Sequence, residues 1–155
     1  MSALGEVSSE FAFEVRVSVA PPMVIPAGPQ GLRRVIPILG GVFEGPRIRG
    51  TVLLGGADWQ YVRADTVVSL EARYTLQVDD GTLVMVTNRG MRHGPPEVLE
   101  RIFRGDAVDP SEYYFRTVAE FEAPEGPHAW LNKAIFIGVA RRTATEAIVR
   151  LHRVL

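Results

Sequence analysis

A hydrophobic period of two residues constrains this chain more than any other feature. Phe11, Phe13, Val15, Val17 and Val19 alternate with Glu10, Ala12, Glu14, Arg16 and Ser18, which puts the large apolar side chains on one face of an extended strand. The period returns at Val68, Leu70, Ala72, Tyr74, Leu76 and Val78, interleaved with Ser69, Glu71, Arg73, Thr75 and Gln77. Asp79-Asp80-Gly81 then turns the chain, glycine supplying the positive φ of a tight hairpin, and Leu83 to Thr87 runs back. That return is apolar on both parities, the pattern of a strand covered on both faces. Tyr113 to Phe121 reads as another strand, and Ala129 to Ala140 with Ala147 to Leu155 as a terminal hairpin around Arg142 to Glu146.

Other segments break the period. Ala20 to Gly31 holds four prolines and two glycines, which exclude helix and central strand and predict a long loop able to act as a lid. Arg33 to Leu54 is extended but interrupted by Pro37, Gly40-Gly41, Gly45-Pro46 and Gly50, so short or sharply bent strands are expected. One short helix is predicted after Pro95 or Pro96, with Glu97 in its first turn, Val98, Leu99, Ile102 and Phe103 on one stripe and Gly105 just past its end. At least six antiparallel strands with a single helix predict a closed β-barrel, because closure removes exposed edges, with a β-sandwich as the alternative. The 155 residues are expected to form one domain spanning 1–155.

Several function classes lose support at this level. Seventeen basic against eighteen acidic residues remove the electrostatic basis for binding nucleic acid. No apolar run reaches the roughly 18 to 20 residues of a membrane span, and Met1 to Glu10 is polar and acidic, so a cytoplasmic protein without membrane contact is expected. There is no cysteine, no phosphate-cradling glycine motif, and no close pairing of His93, His128 and His152, so neither cofactor nor metal is expected.

What remains is polar side chains planted in apolar strands. Asp58, after Gly55-Gly56 and beside Trp59, is read as lying just past a strand end, either as a turn-closing residue or as a general base whose pKa is raised by burial. Tyr114 and Arg116 are the candidate partners for a developing oxyanion. Trp59, Tyr74, Trp130 and Phe136 are candidate pocket walls, and Arg73, Asn88, Arg89, Arg92 and Asn132 candidate orienting groups. The structural alternative is that these polar groups tie strands together or face water.

Seven stretches together resemble the domain-of-unknown-function 3237 family: GPRIRGTVLLGGADW at 45–59, EARYTL at 71–76, DDG at 79–81, NRG at 88–90, RHGP at 92–95, YYFRT at 113–117 and WLN at 130–132. The resemblance covers roughly residues 10 to 155. It implies a lipocalin-like or calycin-like barrel with a central cavity, often in an oligomer, and carries no general activity. It also implies a cavity lining drawn from Asp58, Trp59, Arg73, Tyr74, Asn88, Arg89, Arg92, Tyr114, Arg116, Trp130 and Asn132. Leu54 departs from the proline frequent there in the family.

Three functional expectations follow. The first is a cofactor-independent isomerase, cyclase or lyase acting on a small carbonyl or aromatic compound. The second is a non-catalytic small-molecule carrier using the same pocket. The third is an oligomeric module, because strands apolar on both parities call for a second copy of the chain.

Overall fold

The computed structural model describes residues 4–155; Met1 to Ala3, which belong to the amino-terminal stretch and to the domain expected above, lie outside the described residues. Ten strands follow in the order β1 (Ser9–Val19), β2 (Met23–Gly28), β3 (Gly31–Glu44), β4 (Arg49–Val52), β5 (Gly56–Val62), β6 (Val68–Val78), β7 (Leu83–His93), β8 (Tyr114–Glu122), β9 (Phe136–Arg142) and β10 (Glu146–Val154). Helix α1 (Pro96–Phe103) and two single 3-10 turns, Pro110–Glu112 and Ala129–Lys133, lie between strands.

Strands β6 to β10 form a meander, β10 pairs with β1, and β1 pairs with β3. The ring closes through β4 and β5, which lie end to end between β3 and β6. The result is a closed antiparallel barrel of eight strand positions, with β2 added at the edge of β3. No helix among the described residues is long and apolar enough to cross a membrane.

The period of two predicts β1, the β6–β7 hairpin and β8, and Gly81 takes the positive φ of 90° that the turn requires. Helix α1 ends as its sequence predicts, with Pro at its start and Gly105 at φ 86° after it.

Other expectations are corrected. The proline-rich segment is not simply a loop: β2 pairs along Met23 to Ile25 with β3, its register slipping around Pro26, and prolines are tolerated because it is an exposed edge strand. The interrupted region after it does hold a bent strand and a short one, the 14-residue β3 and the four-residue β4. Its glycines act as a bend: Gly40 and Gly41 lie at φ 145° and 150°, where β3 passes from pairing with β5 to pairing with β4. A Cβ on Gly41 would collide with the Arg16 carbonyl, so this close approach to β1 needs glycine.

The terminal hairpin begins only at Phe136. Ala129 to Lys133 is a 3-10 turn, so Asn132 does not lie on a strand face. The return strand β7 runs on to His93 and is not covered on both faces, since Leu83 and Met85 are exposed.

The barrel interior has two unlike ends. At one, Phe13, Phe43, Phe121 and Phe136 pack with ring centroids 5.0 to 5.8 Å apart, together with fully buried Leu76, Val84 and Leu151. At the other, the inward positions of β3, β5, β7 and β9 carry Arg34, Gln60, Arg92 and Arg142.

Candidate functional site

Two rows of paired residues build the polar end. One runs around the wall from Ile36 to Asp58, Ala72, Asn88 and Ala119. The next, two residues closer to the rim, runs from Arg34 to Gln60, Leu70, Gly90, Thr117 and Gly138. The small residues in these rows leave a partly open cavity of about 40 Å3 lined by Asp58, Gln60, Tyr74, Asn88, Arg92, Thr117 and Arg142 among apolar neighbours. A second space of about 50 Å3 lies against Gln60, Arg92 and Arg142 from outside and is walled by Arg34, Ile102, Phe103 and Ala144. The two share Ile36, Gln60, Arg92 and Arg142, so those side chains form the neck between the interior and the barrel mouth.

Asp58 lies inside β5, not past a strand end, and its carboxylate points inward. Oδ2 accepts a hydrogen bond from Gln60 Nε2 at 2.8 Å, while Oδ1 is shielded from solvent without a protein partner. Burial pushes its pKa up, and the Gln60 hydrogen bond and the positive charges of Arg92, Arg142 and Arg34 only partly oppose that. Arg92 is 4% exposed and neither its Nε nor one terminal nitrogen has a protein partner. Desolvation, reinforced by Arg34, pushes its pKa down to about 10, so it remains a cation at neutral pH. Arg34 and Arg142 are lowered by desolvation as well, and Asp58 opposes this in both. No carboxylate lies within 4.0 Å of these three guanidiniums among the described residues.

Neighbours hold the three arginines in place. Arg34 stacks on Phe103 at 4.9 Å and Arg92 on Phe115 at 5.2 Å. Arg142 donates to the carbonyls of Thr143 at 2.7 Å and Glu146 at 3.2 Å, and its backbone N–H donates to the Tyr113 hydroxyl at 3.1 Å. Gln60 Oε1, Asn88 Oδ1 and Thr117 Oγ1 are buried without protein partners. Such a concentration of unpaired buried polar atoms is costly, and its clustering in one place makes this cavity the candidate site. One carboxylate among three cations is a poor donor set for a metal ion.

Of the residues singled out from sequence, Asp58, Tyr74, Asn88 and Arg92 meet in this cavity. Tyr114 and Arg116 do not: they share a parity with Glu120 and Glu122 on the outer face of β8, while Phe115 and Thr117 point inward. Tyr114 is 45% exposed and stacks on His93, and Arg116 donates to the Phe115 carbonyl at 2.9 Å. Trp59 and Arg73 also face outward, and Arg89 bonds Glu71 at 3.2 Å on the surface. Asn132 ties down Ala123 through two 2.8 Å hydrogen bonds. Trp130 packs on Phe136 and under Arg47, and Phe136 belongs to the aromatic end.

Arg34, Gln60, Thr117 and Arg142 went unnoticed in the sequence. Parity was the available signal for two of them, since Arg34 is in step with Ile36 and Ile38, and Arg142 with Ala140, Gly138 and Phe136.

Comparison with known proteins agrees with this architecture. The profile described as "Protein of unknown function (DUF3237)" matches residues 7–154. The chain belongs to the DUF3237 family. A UPF0311 protein of Rhodopseudomonas palustris is 45% identical over 125 residues, covering 81% of this chain and 82% of its own. Another, from Clostridium acetobutylicum, is 35% identical over 150 residues, 96% of this chain and 95% of its own. The crystal structure of a conserved protein of unknown function from R. palustris superposes with a TM-score of 0.95 at 38% identity, covering 98% of this DUF3237 chain and all of that one. Further off, the hydroalkoxylation enzyme phnH of Penicillium herquei is 28% identical over 78 residues, 50% of this chain and 52% of its own. An enzyme from the same fungus shares the fold with a TM-score of 0.70 at 19% identity, covering 97% and 98%.

Proposed function

We propose that this barrel is a cytoplasmic, homo-oligomeric, cofactor-independent enzyme that moves a proton on a small carbonyl or aromatic compound, as an isomerase, cyclase or lyase does. The observation that carries the reading is Asp58: a carboxyl group in a shielded cavity, one oxygen fixed by Gln60, the other unpartnered, its pKa raised by burial. A carboxyl group so perturbed is a stronger base when ionised and a usable acid when protonated, and one such group can do both in a single turnover. The oxyanion role falls to groups inside the barrel rather than to Tyr114 and Arg116: Arg92, Asn88 and Arg142 line the same cavity as Asp58 and can stabilise developing negative charge.

Hydroalkoxylation, the activity named for the fungal relative, adds O–H across a carbon–carbon double bond. It removes a proton from oxygen and delivers one to carbon, which is within the range of a lone carboxyl relay. That likeness supports addition, elimination and cyclisation over redox or group-transfer chemistry. The oligomer is supported by Val118, Ile137 and Val139, exposed neighbours on β8 and β9 that a second copy of the chain would cover.

The test is proton exchange. Small phenols, ketones and enones are incubated with the protein in D2O, and deuterium entering carbon positions is read by mass spectrometry. Wild-type protein should catalyse exchange or conversion of at least one compound class, and Asp58→Asn should bind the same compound without exchanging it. Equal exchange by Asp58→Asn removes Asp58 from the chemistry; binding with no exchange in the wild type leaves a carrier.

A further inference from the structure

The charge balance of the neck points to the kind of substrate, an argument that rests on the cavity being the site proposed above. Arg34, Arg92 and Arg142 bring three positive charges to a place where Asp58 supplies the only carboxylate among the lining residues. Arg92 and Arg34, 4% and 7% exposed, keep guanidinium nitrogens that no protein group satisfies. Arginine is also the side chain best shaped for a planar oxyanion, through paired N–H donors. The walls on either side of the charges are apolar: Ile36, Phe115 and Leu70 within, Ile102 and Phe103 towards the mouth.

We infer that Arg34, Arg92 and Arg142 form a receptor for the carboxylate of a small organic acid, which enters between α1 and the β9–β10 turn and presents its reactive carbons to Asp58. The spacing is suitable. The Asp58 row lies one inward position deeper than the Arg34–Gln60 row, about 7 Å along a strand, so atoms roughly three to five bonds from the carboxylate lie level with Asp58. Helix α1 has a defined part in this arrangement. Phe103 backs the Arg34 guanidinium, and Ile102 closes the space above Arg92 and Arg142.

The experiment uses benzoate and 3-phenylpropanoate as probes, with their neutral amides and inorganic phosphate as controls, all at constant ionic strength. Arginine side-chain N–H resonances and the melting temperature are followed together. The carboxylates should shift the Arg34, Arg92 and Arg142 signals saturably and raise the melting temperature, with the amides about tenfold weaker or worse. Arg92→Gln and Arg34→Gln should each weaken carboxylate binding by about tenfold. At a pH high enough to ionise Asp58, Asp58→Asn should strengthen it severalfold by removing a like charge.

Amides binding as well as acids would overturn the inference, as would arginine signals indifferent to both carboxylates, or phosphate matching them. The two proposals fail separately. Carboxylate binding without isotope exchange would sink only the catalytic reading, whereas exchange on neutral compounds with no carboxylate binding would sink only the receptor.

Discussion

The two ends of this barrel share seven strands, with β4 completing one end and β5 the other, and they obey opposite rules. At the aromatic end, Phe13, Phe43, Phe121 and Phe136 fill the interior, and every inward position contributes burial. At the arginine end, the same alternation delivers charged and amide groups inward, and much of their hydrogen-bonding capacity is left without protein partners. Two aspartates show the same contrast. Asp80, near the aromatic end, is held at a pKa of about 2 by the Thr82 backbone N–H and by His128 at 2.8 Å. Asp58 is pushed the other way because burial outweighs its neighbours. One end is packed for stability, and the other carries buried polar groups whose missing partners cost stability.

Substitutions should separate the two ends by sign. Phe136→Ala, in the aromatic end, should cost about 3 to 5 kcal/mol in urea unfolding. Arg92→Met, in the arginine end, should instead leave stability unchanged or raise it by about 1 to 3 kcal/mol while abolishing ligand binding, because a buried, unpaired cation is replaced by an apolar chain of similar length. A loss of several kcal/mol on Arg92→Met would show that the arginines hold the barrel together.

The aspartates separate by pH. With its folded-state pKa raised above the unfolded value near ~3.9, Asp58 favours the fold at low pH, and that contribution disappears as pH rises through its folded pKa. Asp80, depressed, contributes above the unfolded value and loses its contribution as pH falls towards about 2. Asp58→Asn should therefore gain stability relative to wild type as pH rises towards neutrality, and Asp80→Asn should lose relative stability over the same rise. Smallest of all, Tyr114→Phe and Arg116→Ala should change stability by no more than about 0.5 kcal/mol and leave ligand binding unaltered, since both face outward.

The sequence was legible wherever the inward face is apolar. Strands β1, β6 and β8 declare themselves by alternation, and α1 by its proline and glycine boundaries. Strand β5 hid itself because its inward residues include Asp58 and Gln60 while Trp59 faces out, which inverts the usual pattern. The strand carrying Asp58 was thus one that hydrophobic periodicity could not register. Strand β2 hid for another reason: edge strands tolerate the prolines that rule out central ones.

Asp58, Tyr74, Asn88 and Arg92 were recoverable as candidates, but their meeting depends on the register of β5, β6 and β7, which residue types do not encode locally. Tyr114 and Arg116 lie outside the cavity, and their own strand carries the signal. Glu120 and Glu122 share their parity and mark that face as solvated.

The most direct test of the account is a 13C titration of the aspartate side-chain carboxyls in wild-type protein and in Asp58→Asn. The account predicts one carboxyl titrating above the ordinary aspartate range near ~3.9, absent from the variant and displaced when a carboxylate probe is bound. If every aspartate titrates at or below that value, Asp58 is an ordinary ionised group and the central claim fails.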